Sequence, residues 1–138
     1  MPKNYLAIDY GERRVGIAFA SDSIGIAFPR ETIDLSKKDL WAELERLVKA
    51  NKITDFVLGM PIHPNNHPDS KQKVVEKFAE TLHKKFPKIM LHTQDESYST
   101  QEAVGAIPCS RSHSRPHSER IDKAAATIIL QRFLEGNF

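Results

Sequence analysis

Apolar residues follow two rhythms along this chain. Over roughly the first quarter, and again in two short stretches further on, they run together or alternate as strands do. Elsewhere they return every third or fourth position, as on one face of a helix. The first strand is Tyr5-Leu6-Ala7-Ile8-Asp9-Tyr10, apolar except at Asp9. A polar turn, Gly11-Glu12-Arg13-Arg14, leads into a second apolar run, Val15-Gly16-Ile17-Ala18-Phe19-Ala20. Two such runs around a short Gly-containing turn predict a hairpin. Alternation sets Asp9 on one face with Tyr5 and Ala7, and Leu6, Ile8 and Tyr10 on the other. A third strand is expected from Ile24 to about Ile33. Pro29 lacks a backbone donor, which places that strand at a sheet edge.

The rhythm then changes. Ser36 is a candidate cap for a helix starting near Lys37, with Leu40, Trp41, Leu44, Leu47 and Val48 at helical spacing. Ile53–Gly59 is a short apolar strand ending in Gly59-Met60-Pro61. The polar, proline-punctuated stretch Ile62–Ser70 is a loop. Val74, Val75, Phe78, Ala79, Leu82 and Phe86 mark a second helix, stopped by Pro87. Ile89–Thr93 is another strand. Ser99 and Glu102 have capping-box spacing, and a short helix through Val104 and Ile107 is expected. Pro108–Ser118 is a loop rich in Ser, Arg and His. A last helix starts near Glu119, with Ile121, Ala124, Ala125, Ile128, Ile129 and Phe133 as its buried stripe. A meander followed by alternating strands and helices predicts an α/β fold. Its mixed sheet has three antiparallel and two parallel strands and helices on both faces.

Composition adds bounds to that picture. The length of 138 residues suits one domain, 1–138, with a real core. No apolar run approaches the roughly 20 residues that span a bilayer, so no membrane partner is expected. Met1-Pro2-Lys3-Asn4 contains no apolar signal core. One cysteine, Cys109, precludes an internal disulfide and suits a reducing, cytoplasmic setting. The net charge of +2 permits nucleic-acid binding without arguing for it.

The candidate chemistry is acidic. Aspartate is depleted inside strands, so Asp9 calls for a reason. It either bonds the turn backbone or presents a carboxylate from a rigid strand. Glu96 lies just past the end of a parallel strand, where open α/β sheets bind ligands. Asp122 is placed in the first turn of the last helix, before Ala124-Ala125-Ala126, whose small side chains allow close packing on the sheet. Alone, Asp122 suits the helix dipole and Glu96 is a solvated acid. Together, three converging carboxylates would repel one another unless cations neutralised them. Hard ions, Mg²⁺ or Mn²⁺, take such oxygen ligands, and two of them suit phosphodiester hydrolysis.

Four motifs resemble one family. Asp9-Tyr10-Gly11 with Arg14-Val15-Gly16-Ile17-Ala18 is similar to the opening motif of the YqgF/RuvX proteins, which share the RNase H-like fold. Leu58-Gly59-Met60-Pro61 resembles their Gly-x-Pro loop. Asp95-Glu96 with Ser99-Thr100 resembles their acidic motif, and Asp122-Lys123 with Ala125-Ala126 their closing one. The resemblance implies an RNase H-like mixed five-stranded sheet. It also implies a metal-dependent nuclease with Asp9, Glu96 and Asp122 as catalytic metal ligands for Mg²⁺ or Mn²⁺, two ions in all. The family is associated with maturation of the 5′ end of 16S rRNA precursor, and some members with resolving Holliday junctions. The chain departs from the pattern at Ser97, where the family carries Arg. It departs again in a Pro- and His-rich loop after Pro61, and in arginines rather than lysines before Asp122.

Arg111, Arg115 and Arg120, with Arg13 and Arg14 of the first turn, are the candidate phosphate contacts. Cys109, His113 and His117 are evenly spaced, as are His63 and His67, and on a helix they could hold zinc. Pro116 and the serines argue against a helix there. Three functions follow: a nuclease on structured RNA such as precursor rRNA, a resolvase on branched DNA, or a non-catalytic nucleic-acid binder. A resolvase would act as a symmetric dimer; otherwise monomer and homodimer are both open.

Overall fold

Strand β1 (Asn4–Tyr10) is buried from Tyr5 through Ile8, so both of its faces must be covered. The structure that covers them is a computed structural model describing residues 2–61, 70–95 and 115–136, with backbone alone at 70 and 115–123. β1 pairs antiparallel with β2 (Arg14–Ser21), and β2 antiparallel with β3 (Phe28–Asp34). On its other side β1 pairs in parallel with β4 (Asp55–Met60), and β4 with β5 (Met90–Asp95). The sheet order is β3-β2-β1-β4-β5, with β1 at its centre. This is the expected meander plus two parallel strands. Three helices lie among the described residues: α1 (Leu40–Asn51), α2 (Ser70–Lys85) and α3 (Arg115–Gly136).

The two sheet faces carry different cores. Leu6, Ile8, Ile17, Ile33, Phe56 and Leu58 meet Leu40, Leu44 and Leu47 of α1 and Val75, Phe78 and Leu82 of α2. The other face is built from smaller residues. Tyr5, Ala7, Ala18, Ala20 and Val57 meet Ala126, Ile129, Leu130, Phe133 and Leu134 of α3. Alanines on both sides of that contact let α3 lie close to the sheet.

Several boundaries differ from expectation, each for a local reason. The third strand begins at Phe28 rather than Ile24. The Ile24 and Gly25 amides both donate to the Ser21 carbonyl, and Gly25 takes φ +74°, so this stretch is a turn. Pro29 does lie on an edge strand, beside a bulge between Ile17 and Ala18. The first helix starts at Leu40, with Asp39 at its cap position. Ser36 does not cap it; its amide and hydroxyl both donate to Asp34 Oδ1, at 3.0 and 2.7 Å. β4 starts at Asp55 and β5 continues to Asp95. Val74 is 47% exposed rather than part of the buried stripe of α2.

The largest correction is at α3, which starts at Arg115 rather than near Glu119. Pro116 occupies its first turn, where the missing N–H would have no partner within the helix. Arg115, His117 and Arg120 therefore belong to a helix. The expected helix through Val104 and Ile107 lies outside the described residues, as do His63, His67, Cys109, Arg111 and His113.

Candidate active site

Asp9 is the next-to-last residue of the central strand, half-buried, on the face that α3 covers. Its neighbour on β2 is Gly16. On β4 the last paired rung joins Ile8 to Leu58, and the next residue there is Gly59. Both glycines are buried. The carboxylate thus stands between two strand positions that carry no side chain, at the carboxyl end of the parallel strands. Gly59 and Pro61, of the stretch that resembles the family's Gly-x-Pro loop, lie at this same end of the sheet.

The helix opposite packs on this same face of the sheet. Tyr5, at the start of β1, meets Phe133 edge-on, with ring centroids 5.8 Å apart. Ala126 and Ile129 also bury against this face, so the helix runs from there toward the Asp9 end of the strand. From Tyr5 to Asp9 the strand rises about 13 Å. From residue 133 back to 122 the helix rises about 16 Å. Position 122 also keeps the spacing of the buried stripe through 126, 129 and 133. Because α3 starts at Arg115, Asp122 is its eighth residue rather than a first-turn acid. The helix dipole, whose effect fades within the first turn, therefore does not account for it. Its side chain lies outside the description, as do those of Arg115 and Arg120. Glu96 follows Asp95 at the end of β5 and is itself outside the described residues. Among the described residues no three His, Cys, Asp or Glu side chains gather as a metal site.

The turn that carries Asp9 is tightly closed. A Cβ on Gly11 would come within 2.5 Å of the Arg14 carbonyl oxygen. Beside the turn a cleft of about 490 Å³ is lined by Arg13, Arg14, Lys37, Glu12 and Asp34. The Ser36 hydroxyl and amide hold the Asp34 carboxyl below its ordinary range, with Lys37 and Arg14 adding to the effect. Arg13 and Arg14 are thus placed beside the Asp9 turn, at its basic side.

One polar cluster was not anticipated from the sequence. Asp55, 2% exposed, sits at the start of β4, at the opposite end of the sheet from Asp9. Its Oδ2 lies 2.7 Å from His92 Nε2 of β5, and its Oδ1 accepts from the Thr54 hydroxyl at 2.6 Å. His92 also packs on Phe133, with centroids 4.8 Å apart. Burial, with the Asp55 carboxylate next, raises the Tyr5 hydroxyl pKa above its ordinary value. The sequence shows an Asp and a His in two expected strands, but only the register, which sets His92 opposite Val57 and two residues beyond the partner of Asp55, brings them within reach. This cluster ties β4, β5 and α3 together and lies away from the Asp9 end.

Comparison with known proteins agrees with this architecture. The family model described as "RuvX: Holliday junction resolvase" matches residues 3–136. Relatives named "Putative pre-16S rRNA nuclease" come from Opitutus terrae and Chlorobium luteolum. Each is 32% identical over 134 residues, covering 96% of this chain and 92% and 94% of theirs. Among solved structures, Thermus thermophilus RuvC in complex with a Holliday junction substrate covers 98% of this chain and 95% of its own, with TM-score 0.55 and 12% identity. The yeast mitochondrial Holliday junction resolvase Ydc2 covers 96% of this chain and 78% of its own, with TM-score 0.59 and 12% identity. At such identities these two structures speak to the RNase H-like fold alone. No helix among the described residues is long and apolar enough to cross a membrane.

Proposed function

The chain belongs to the RuvX family, and from that premise we propose that it is a divalent-metal-dependent endonuclease maturing the 5′ end of precursor 16S rRNA. The observation that carries this reading is the place of Asp9. It is an acid on the central strand, between two glycines, at the carboxyl end of the parallel strands and on the face of α3. A carboxylate serving only the turn would not need cleared neighbours on both sides. Asp122, the eighth residue of α3, and Glu96, one residue past β5, are the proposed partners. An all-oxygen donor set of this kind suits Mg²⁺ or Mn²⁺. When bound, such ions supply an activated water and stabilise the leaving oxygen. Asp9, from the central strand of the sheet, would fix where the scissile phosphate must lie. Arg13 and Arg14 beside it, with Arg111, Arg115 and Arg120, are proposed to hold flanking phosphates. The names of the relatives support rRNA as the substrate, and a cytoplasmic location would follow.

A side-by-side cleavage assay in Mn²⁺ tests this reading. It compares precursor 16S 5′ ends, four-way DNA junctions and unstructured single strands. Preferential cutting of the precursor is expected. Cutting confined to four-way junctions, by a protein that dimerises on them, would move the substrate to branched DNA. Binding without cleavage of any substrate would contradict the nuclease reading and leave a nucleic-acid binder.

A further inference from the structure

A second cavity, about 380 Å³, opens on the other side of the Asp9 turn. Tyr10, Gly11, Val74, Val75 and Lys71 line it, and Glu12 is shared with the basic cleft, so the two adjoin at the turn as halves of a surface groove. The walls of the two halves differ in kind. The first is edged by Arg13, Arg14 and Lys37. The second is walled by an aromatic ring and two valines, with Lys71 at hand.

The aromatic wall is rigidly backed. Tyr10 stacks on Phe78 with centroids 4.2 Å apart and planes 17° apart. Phe78 stacks in turn on Trp41 at 5.3 Å and 25°. Tyr10 is therefore the end ring of a three-ring column, and it is the ring that reaches the cavity. Val74 is 47% exposed at the cavity although it lies on the apolar side of α2. Val74 and the half-buried Tyr10, one residue from Asp9, thus offer apolar surface that a flat ligand could cover.

We propose that this groove is a nucleotide subsite of the RNA substrate. Its apolar half holds the base of one unpaired nucleotide next to the cut, and its basic half holds the adjoining backbone. The inference rests on the nucleic-acid reading above. A flat base extends a column of stacked rings, and base stacking on aromatics tolerates any sequence. A paired base, held inside a duplex, cannot enter a concave site between a helix and a turn; an unpaired one can be splayed into it. The four cations of the groove outnumber Glu12 and Asp34, and Asp34 is already engaged by Ser36. Tyr10 faces away from Asp9 along the strand, so the base and the scissile phosphate would lie on opposite sides of β1's end. The substrate strand would have to bend around the turn there, which a flexible single strand does readily.

The test is binding in metal-free buffer, where cleavage plays no part. Fluorescence anisotropy measures short single-stranded RNAs in which each base in turn is removed, leaving the sugar and phosphate. One position should weaken binding roughly ten-fold, the scale of one lost base–aromatic stack. Val74→Asp, at an exposed site that folding tolerates, should weaken the intact RNA similarly and abolish that position's effect. Tyr10→Ala should do the same, while Tyr10→Phe keeps both. A uniform profile along the RNA, wild-type behaviour of Val74→Asp, or no RNA binding at all would overturn the subsite. Cleavage of precursor ends by the same preparation decides the nuclease reading separately: cutting with a uniform profile removes the subsite alone.

Discussion

Gly11 shows how closely function and local geometry are joined at the single residue. The chain leaves the central strand at Tyr10 and must re-enter the sheet at Arg14. The Arg14 carbonyl fills the space where a Gly11 side chain would begin. Gly11→Ala should therefore destabilise the fold by about 1–3 kcal/mol, as overpacking against immovable atoms does. Urea unfolding would show a lower midpoint with an unchanged slope. An unchanged midpoint would mean that the turn opens freely around a methyl group. Asp9 was legible in the sequence because an acid inside an apolar run has few structural explanations. Asp55 was not, although it too lies inside an expected apolar strand, because nothing in the sequence singles out its partner. Only the register of β4 against β5 brings His92 to it.

At the scale of elements, the Asp55–His92 contact is the polar joint of an otherwise apolar assembly. β5 is an edge strand with mostly exposed or half-buried positions. Removing His92 leaves the buried carboxylate with the Thr54 hydroxyl alone. His92→Ala should cost about 1.5–3 kcal/mol, the range for a hydrogen bond to a charged group. With Asp55→Ala beside it, a double-mutant cycle in urea should show a large favourable coupling between the two. Strictly additive single effects would mean that the contact adds nothing. Elements were legible wherever hydrophobic period was strong: all five strands, α1 and α2 stand where alternation and helical spacing put them. Their ends were less so. The start of α3 was hidden because proline and serine, read alone, signal a loop, yet both are at home in a helix's first turn. That shift matters to function, since it moves Asp122 out of reach of the dipole explanation.

At the scale of the molecule, the sheet divides its labour between two ends. One end of the parallel strands is locked by Asp55, His92, Tyr5 and Phe133. The other end carries Asp9, its two glycine neighbours and the groove across the turn. The overall layout was legible because a meander followed by strand–helix alternation allows few topologies. The site was legible only in part: the sequence names three acids, while the described residues fix the geometry of one. The most direct measurement is therefore on Asp9→Asn, which keeps the shape and removes the charge. Thermal melts with and without Mn²⁺ are run beside one cleavage assay on wild type and variant. If Asp9 serves the metal, Mn²⁺ raises the melting temperature of wild type more than that of the variant, by ligand linkage. The variant is then at least as stable as wild type without metal, because one repelling charge is gone. Its cleavage falls by orders of magnitude. A variant that melts lower in metal-free buffer, responds to Mn²⁺ like wild type and cleaves normally once folded would contradict the account.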